Sequence, residues 1–82
     1  MREVKKNKLD FYIIAKVKEM REKAGLSQAT LAVELDVSAT FVGQVEHPLH
    51  RAKYNLYHIN KLAKIFKCSP RDFLPEEPLD VT

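Results

Sequence analysis

The sequence predicts an all-α fold, a compact five-helix domain, and three observations predict it. Apolar residues recur at three- and four-residue spacing along successive segments, the period of a helix that buries one face. Ser27, Ser38, Asn55 and Ser69 stand in front of such segments, and each residue type can accept a hydrogen bond from a free backbone N–H of a first helical turn. No stretch alternates polar and apolar residues as a half-buried strand does, and no repeat or low-complexity tract interrupts the pattern.

Leu9, Ile13, Val17, Met20 and Ala24 form the apolar stripe of the first helix, with Lys16, Lys18, Glu19 and Glu22 outside it. Gly25 supplies a left-handed cap, and Leu26 is the apolar residue that folds back on the last turn. Ser27 caps a second helix whose inner face is Leu31, Ala32 and Leu35. Asp36 and Val37 leave room for only a tight turn before Ser38, and aspartate tolerates positive φ better than most residues. The third helix is predicted over Ala39–Glu46. At about 100° per residue, Val42 and Val45 point inward and Thr40, Gly43 and Gln44 outward, with Phe41 packing at the rim. HPLHRAKYN then reads as a polar, proline-containing loop. Asn55 caps a fourth helix with the stripe Ile59, Leu62, Ala63 and Phe66. Ser69, with Pro70 next and Asp72 three residues on, is the start signal of a fifth. Phe73 and Leu74 close the core. The organisation is a basic amino-terminal arm (1–9), a globular domain (10–74) and, after Pro75 and Pro78, an acidic tail (75–82).

Eighty-two residues, 45% hydrophobic and 30% charged, suit one small soluble domain. The longest apolar run is far short of the roughly 20 residues that cross a bilayer, and no signal peptide is expected, since no charged-then-apolar opening with a small-residue cleavage site is present. No membrane partner is expected. The single cysteine, Cys68, cannot form an internal disulfide, which fits a reducing cytoplasm. The net charge of +3 is unevenly spread. Residues 1–9 carry Arg2, Lys5, Lys6 and Lys8 against Glu3 alone. Residues 47–71 carry Arg51, Lys53, Lys61, Lys64, Lys67 and Arg71 and no acid, whereas Asp72, Glu76, Glu77 and Asp80 follow. Such basic blocks suit a polyanionic partner.

Catalytic apparatus is missing from the pattern. His47, His50 and His58 with Cys68 lack the close cysteine pair or HExxH spacing of a zinc site. Gly25 and Gly43 are the two glycines, too few for a phosphate-binding loop. No catalytic residue, metal or cofactor is expected, and Cys68 reads as a small buried hydrophobe.

What remains is helix, three-residue turn, helix. VKEMREKAGLSQATLAVELDVSATFVGQVE resembles the Cro and repressor-type helix-turn-helix family of phages and bacteria, often called the Xre family, and the lambda-repressor-like fold that goes with it. The likeness continues through INKLAKIFKCSPRDFL and spans residues 17–74. Its most specific elements are LSQATLA, the VS that opens the next helix, the glutamate after VGQV, and KLAKIF followed by SPRDFL. The resemblance implies a motif at about 28–46 in which the third helix enters the major groove of double-stranded DNA and the second lies across the backbone. It implies base reading by Ala39, Thr40, Gly43 and Gln44, and support from Gln28 at a phosphate. It also brings the ends of helices one and three together, so that Arg21 and Glu46 are expected to pair.

Residues 26–46 contain no lysine or arginine. Phosphate contacts, which supply most affinity, need not come from the reading helices. They are expected from the amino-terminal arm, from Arg51 and Lys53, and from backbone N–H groups at the helix starts marked by Gln28 and Ser38. The sequence departs from the family pattern at Asp36 and Lys67, which replace the usual turn glycine or asparagine, and in a longer loop lacking a glycine after Glu46. The function implied is a transcriptional repressor. Thr40 and Gln44 distinguish few base pairs, so a homodimer on an inverted repeat is expected, seeded by Phe73, Leu74 and Leu79. The alternative is a protein-interaction module, such as an antitoxin that binds a toxin protein.

Overall fold

Asn7 opens the first helix. Its side chain accepts from the Asp10 N–H at 2.9 Å, and the Asp10 carboxylate accepts from the Asn7 N–H at 2.8 Å. This reciprocal pair satisfies two donors that a helix start leaves free. In the computed structural model, which describes residues 6–81, α1 therefore spans Lys8–Lys23. It begins inside the segment expected as an arm, because the cap residue Asn7 lies two residues before Leu9, the first apolar residue of the stripe. Arg2 and Lys5 fall outside the described residues.

Ala24 caps the far end, and Gly25 follows at φ 73°. The Leu26 N–H donates to the Arg21 carbonyl and the Gly25 N–H to that of Glu22, both at 3.0 Å, the paired bonds of a glycine-terminated helix. The buried face of α1 is Ile14, Val17 and Arg21. Ile13 and Met20 lie partly buried beside it, while Ala24 is exposed at the cap.

Ser27 accepts from the Thr30 N–H and starts α2, Gln28–Leu35. Asp36 ends it at φ 63° and Lys67 ends α4 at φ 57°, so both non-glycine turn residues adopt the left-handed conformation. The next helix, α3, spans Phe41–Glu46, two residues shorter than expected. The Ser38 carbonyl accepts from the Phe41 N–H at 3.0 Å. That bond closes a turn through Ala39 and Thr40, and Thr40 becomes the cap without a side-chain hydrogen bond. Ser38 therefore acts through its carbonyl, not as the capping side chain expected.

Asn55 caps α4, Leu56–Phe66, which buries Ile59, Leu62 and Ala63. The expected fifth α-helix is a single 3-10 turn, η1, Pro70–Phe73. Its cap forms as a Ser69–Asp72 pair, but Pro75 lacks the N–H that an α-helix would need next and drives Leu74 to an extended ψ of 151°. Among the described residues there are four α-helices and no strand.

One core unites these elements: Val17, Leu31, Ala32, Leu35, Val42, Ile59, Leu62, Ala63 and Phe73. Helix α2 packs on α3 and α4, and α1 packs on α3 and η1. Phe73 is fully buried, with Phe66 at 6.5 Å between ring centroids. It is thus excluded from the surface role expected of it in a dimer, whereas Leu74 and Leu79 remain exposed.

Candidate nucleic-acid interface

Helices α2 and α3 meet at one open concavity, lined by Gln28, Ala29, Ala39, Thr40, Gly43, Gln44, His47 and His50. Five of these are residues singled out from the sequence, and the structure brings them to a single face. Ala39 and Thr40 sit in the turn entering α3 rather than within it. The half-buried Gln44 carboxamide, on the lining of the concavity, makes no hydrogen bond to any described residue, so its donor and its acceptor are both unused.

Behind this face lies a charged network. The Arg21 guanidinium holds Glu46 through two parallel bonds, Nε to Oε2 at 2.9 Å and Nη2 to Oε1 at 3.0 Å. Its third nitrogen donates to the Leu26 carbonyl at 2.7 Å. The side chains are only 10% and 4% exposed, so solvent screens the pair little. The planar fork fixes direction as well as distance. Arg21 thereby ties the last turn of α1 to the last residue of α3.

Gln28 completes the network. Its Nε2–H donates to Glu46 Oε1 at 2.8 Å, so this amide spans from the start of α2 to the end of α3. The bare Gly43 makes that span fit: a Cβ at this position would stand 3.0 Å from Gln28 Oε1. A side chain there and the Gln28 bridge compete for one space.

The helix-turn-helix family model matches residues 17–73, more than half of the chain. The chain belongs to the helix-turn-helix family. Solved structures agree with this. A "restriction-modification controller protein", C.AhdI from Aeromonas hydrophila, is 32% identical with a TM-score of 0.66; the match covers 77% of this chain and 92% of that one. A "hypothetical transcription factor", NHTF from Neisseria, has a TM-score of 0.72 at 24% identity, covering 92% of this chain and 85% of that one, and shares the fold. No curated protein matches.

Besides Ala29, the helix-turn-helix concavity includes two loop residues to which the sequence gave no nucleic-acid role, His47 and His50. In the loop after α3, His47 Nδ1 accepts from the Leu49 N–H at 3.1 Å, and His50 Nδ1 accepts from the Ala52 N–H at 3.0 Å. A neutral imidazole that accepts at Nδ1 carries its proton on Nε2. Both rings are thus set as Nε2–H donors. A loop has no periodicity from which such a placement could be read.

Aromatic packing fixes the other side of this helix-turn-helix. Phe41, the first residue of α3, lies 5.0 Å from His58 and 6.1 Å from Tyr54 between ring centroids, so Phe41 packs rather than faces solvent. The Tyr54 hydroxyl is buried without a hydrogen-bond partner among the described residues. Burial pushes its pKa far above the usual range and Glu46 adds to the rise, with Arg21 opposing.

The expected phosphate ligands of the helix-turn-helix are differently placed. Arg51 is exposed and forms no ion pair with any described residue. Lys53 instead holds Asp10 at 3.1 Å. Lys6 is engaged as well: its ammonium donates to the Val45 carbonyl at 2.6 Å and the His47 carbonyl at 2.8 Å.

Proposed function

We propose that this protein is a sequence-specific double-stranded-DNA-binding regulator of transcription, of repressor type, with α3 in the major groove and α2 across the backbone. The observation that carries this reading is the concavity, where an unbonded carboxamide, a threonine hydroxyl and two residues with little or no side chain share one face. Gln44 offers the donor and acceptor that match adenine N7 and N6, and Thr40 a smaller partner beside it. Ala39 and Gly43 let the backbone come close to base edges. Gln28, Ser38 and Arg51 serve the phosphates, with Nε2–H of His47 and His50 as further donors. Lys53, expected among them, is held by Asp10 instead. The likeness to a controller protein supports this regulatory role.

Two reading contacts worth roughly 1–3 kcal/mol each discriminate poorly among chromosomal sites, so the working unit is a dimer on an inverted repeat. Its half-sites lie about 34 Å apart, and Leu74 and Leu79 seed the dimer surface. Selection of bound duplexes from a random pool by the intact chain tests both claims. An inverted repeat should emerge, and Gln44→Ala should relax preference at one position in each half-site. One chain per site at saturation would remove the dimer, and unchanged preference would remove Gln44 from base reading. A chain that enriches no duplex yet co-purifies with a small protein would instead support an antitoxin-like interaction module.

A further inference from the structure

The six residues of α3 cannot hold a helix alone, since about 12–15 are needed even in favourable sequences. Its start has no side-chain cap, and its end lacks a glycine turn. The last carbonyls of a helix need donors from elsewhere. Those of Gly43 and Gln44 share the His47 N–H at 3.1 and 3.2 Å. The Val45 carbonyl has the Lys6 ammonium, which also reaches the His47 carbonyl. A positive charge at this end additionally complements the helix dipole.

Lys6 is itself firmly based. It directly precedes Asn7, whose reciprocal bonds with Asp10 fix the first turn of α1. Asp10 also holds Lys53, so the segment leaving α3 is fastened to the start of α1 at both ends, by Lys6 at His47 and by Asp10 at Lys53. Between these two fastenings lies His50, and at the first stands His47, both on the concavity. Desolvation lowers the Lys6 pKa, with Asp10 raising it and Lys53 lowering it further.

We propose that Lys6 is a specificity-determining positioning residue: by clamping the Val45 and His47 carbonyls to the start of α1, it sets the angle of α3 and the course of the loop that carries His47 and His50. This rests on the DNA-reading role proposed above. Lys6 acts inside the protein and makes no phosphate contact, which gives it a signature unlike that of a basic arm. A lost phosphate contact weakens binding to every duplex and flattens the salt dependence by about 0.9 in log–log slope. A misplaced reading helix weakens binding to the preferred duplex alone.

The test compares intact wild type, Lys6→Met and Lys6→Arg on the selected duplex and on a scrambled one, across a salt series, at a temperature where circular dichroism shows each folded. Lys6→Met should lose about ten-fold on the selected duplex, the scale of one misread base pair. It should bind the scrambled duplex unchanged with an unchanged slope, and Lys6→Arg should restore selectivity. Equal losses on both duplexes with a flattened slope would make Lys6 a phosphate ligand and overturn the proposal, as would unchanged affinity throughout. Lys6→Gln replaces Lys6→Met if the latter does not fold. Hydrogen exchange without DNA provides a separate measure: the Leu49, His50 and Ala52 amides should exchange faster in the variant, while α4 amides do not. Unchanged loop exchange overturns the clamp. If wild type enriches no duplex, the DNA-binding role fails and the exchange result alone decides the clamp.

Discussion

A glycine within a helix costs about 1 kcal/mol relative to alanine, yet Gly43 occupies the middle of a helix of six residues. The Gln28 amide explains it, lying 3.0 Å from where a Cβ would stand while bonded to Glu46. Gly43→Ala is expected to gain less than the full propensity difference in urea denaturation, because Gln28 must give way by some tenths of an ångström. In a Gln28→Ala background the obstruction vanishes, and the same change should gain the full ~1 kcal/mol. Equal gains in both backgrounds would show that the two side chains do not compete. Arg21 carries higher stakes. Arg21→Met leaves the Glu46 carboxylate, 4% exposed, without its counter-charge and with only the Gln28 amide as partner, near the buried Tyr54 hydroxyl. A loss of ~3–5 kcal/mol is expected, a large part of the ~5–15 kcal/mol that stabilises a small domain. Arg21→Met/Glu46→Leu should recover much of it. Full stability in the single variant would show the pair to be dispensable.

Among the elements, α4 has an unusual start. His58 stands where a capping box usually has glutamate or glutamine, and its Nδ1 accepts from the Asn55 N–H at 3.0 Å. Only the neutral ring can do this, and burial lowers the pKa of His58 below its ordinary 6.5. As pH falls, the unfolded chain takes up this proton first. The His58 contribution is therefore complete above pH 6.5 and declines as pH drops toward the folded-state pKa. Thermal midpoints should fall between about pH 7.5 and pH 5.5 in wild type. The fall should shrink in His58→Gln, which keeps an acceptor without titrating; an equal fall would acquit His58. Much at this scale was legible beforehand. The αL place of Lys67 came from the family resemblance, whereas the Ser27 and Asn55 caps and the αL residue Asp36 follow from local chemistry that the sequence spells out. The start of α3 did not, because a backbone bond from Phe41 to Ser38 overrode the side-chain cap. Nor did the 3-10 nature of η1, which depends on Pro75 withholding one N–H. The Asn7–Asp10 box was written in the sequence but lay outside the apolar stripe used to find α1.

For the molecule as a whole, the candidate site divides the same way. Gln28, Thr40, Gly43 and Gln44 could be gathered from helical geometry and family resemblance. The Lys6 clamp on Val45 joins residues 39 apart and leaves no local trace, and the Lys53–Asp10 pair is equally remote. The basic surface is consequently smaller than a count of cations suggests. Arg51→Gln should flatten the salt slope of DNA binding by about 0.9 per bound domain. Lys53→Gln should change the slope less and lower stability by ~0.2–1 kcal/mol, since its partner is partly exposed. Equal flattening by both would mean that Lys53 releases Asp10 on DNA. Finally, Phe73 is fully enclosed although the last regular turn among the described residues supplies it. During synthesis the amino-terminal elements emerge first, so α1 to α4 leave the ribosome around an unfilled centre. The core is not complete until residue 73 follows them out. A chain interrupted before that point is an open fragment with its apolar faces bare, fit for proteolysis rather than for regulation.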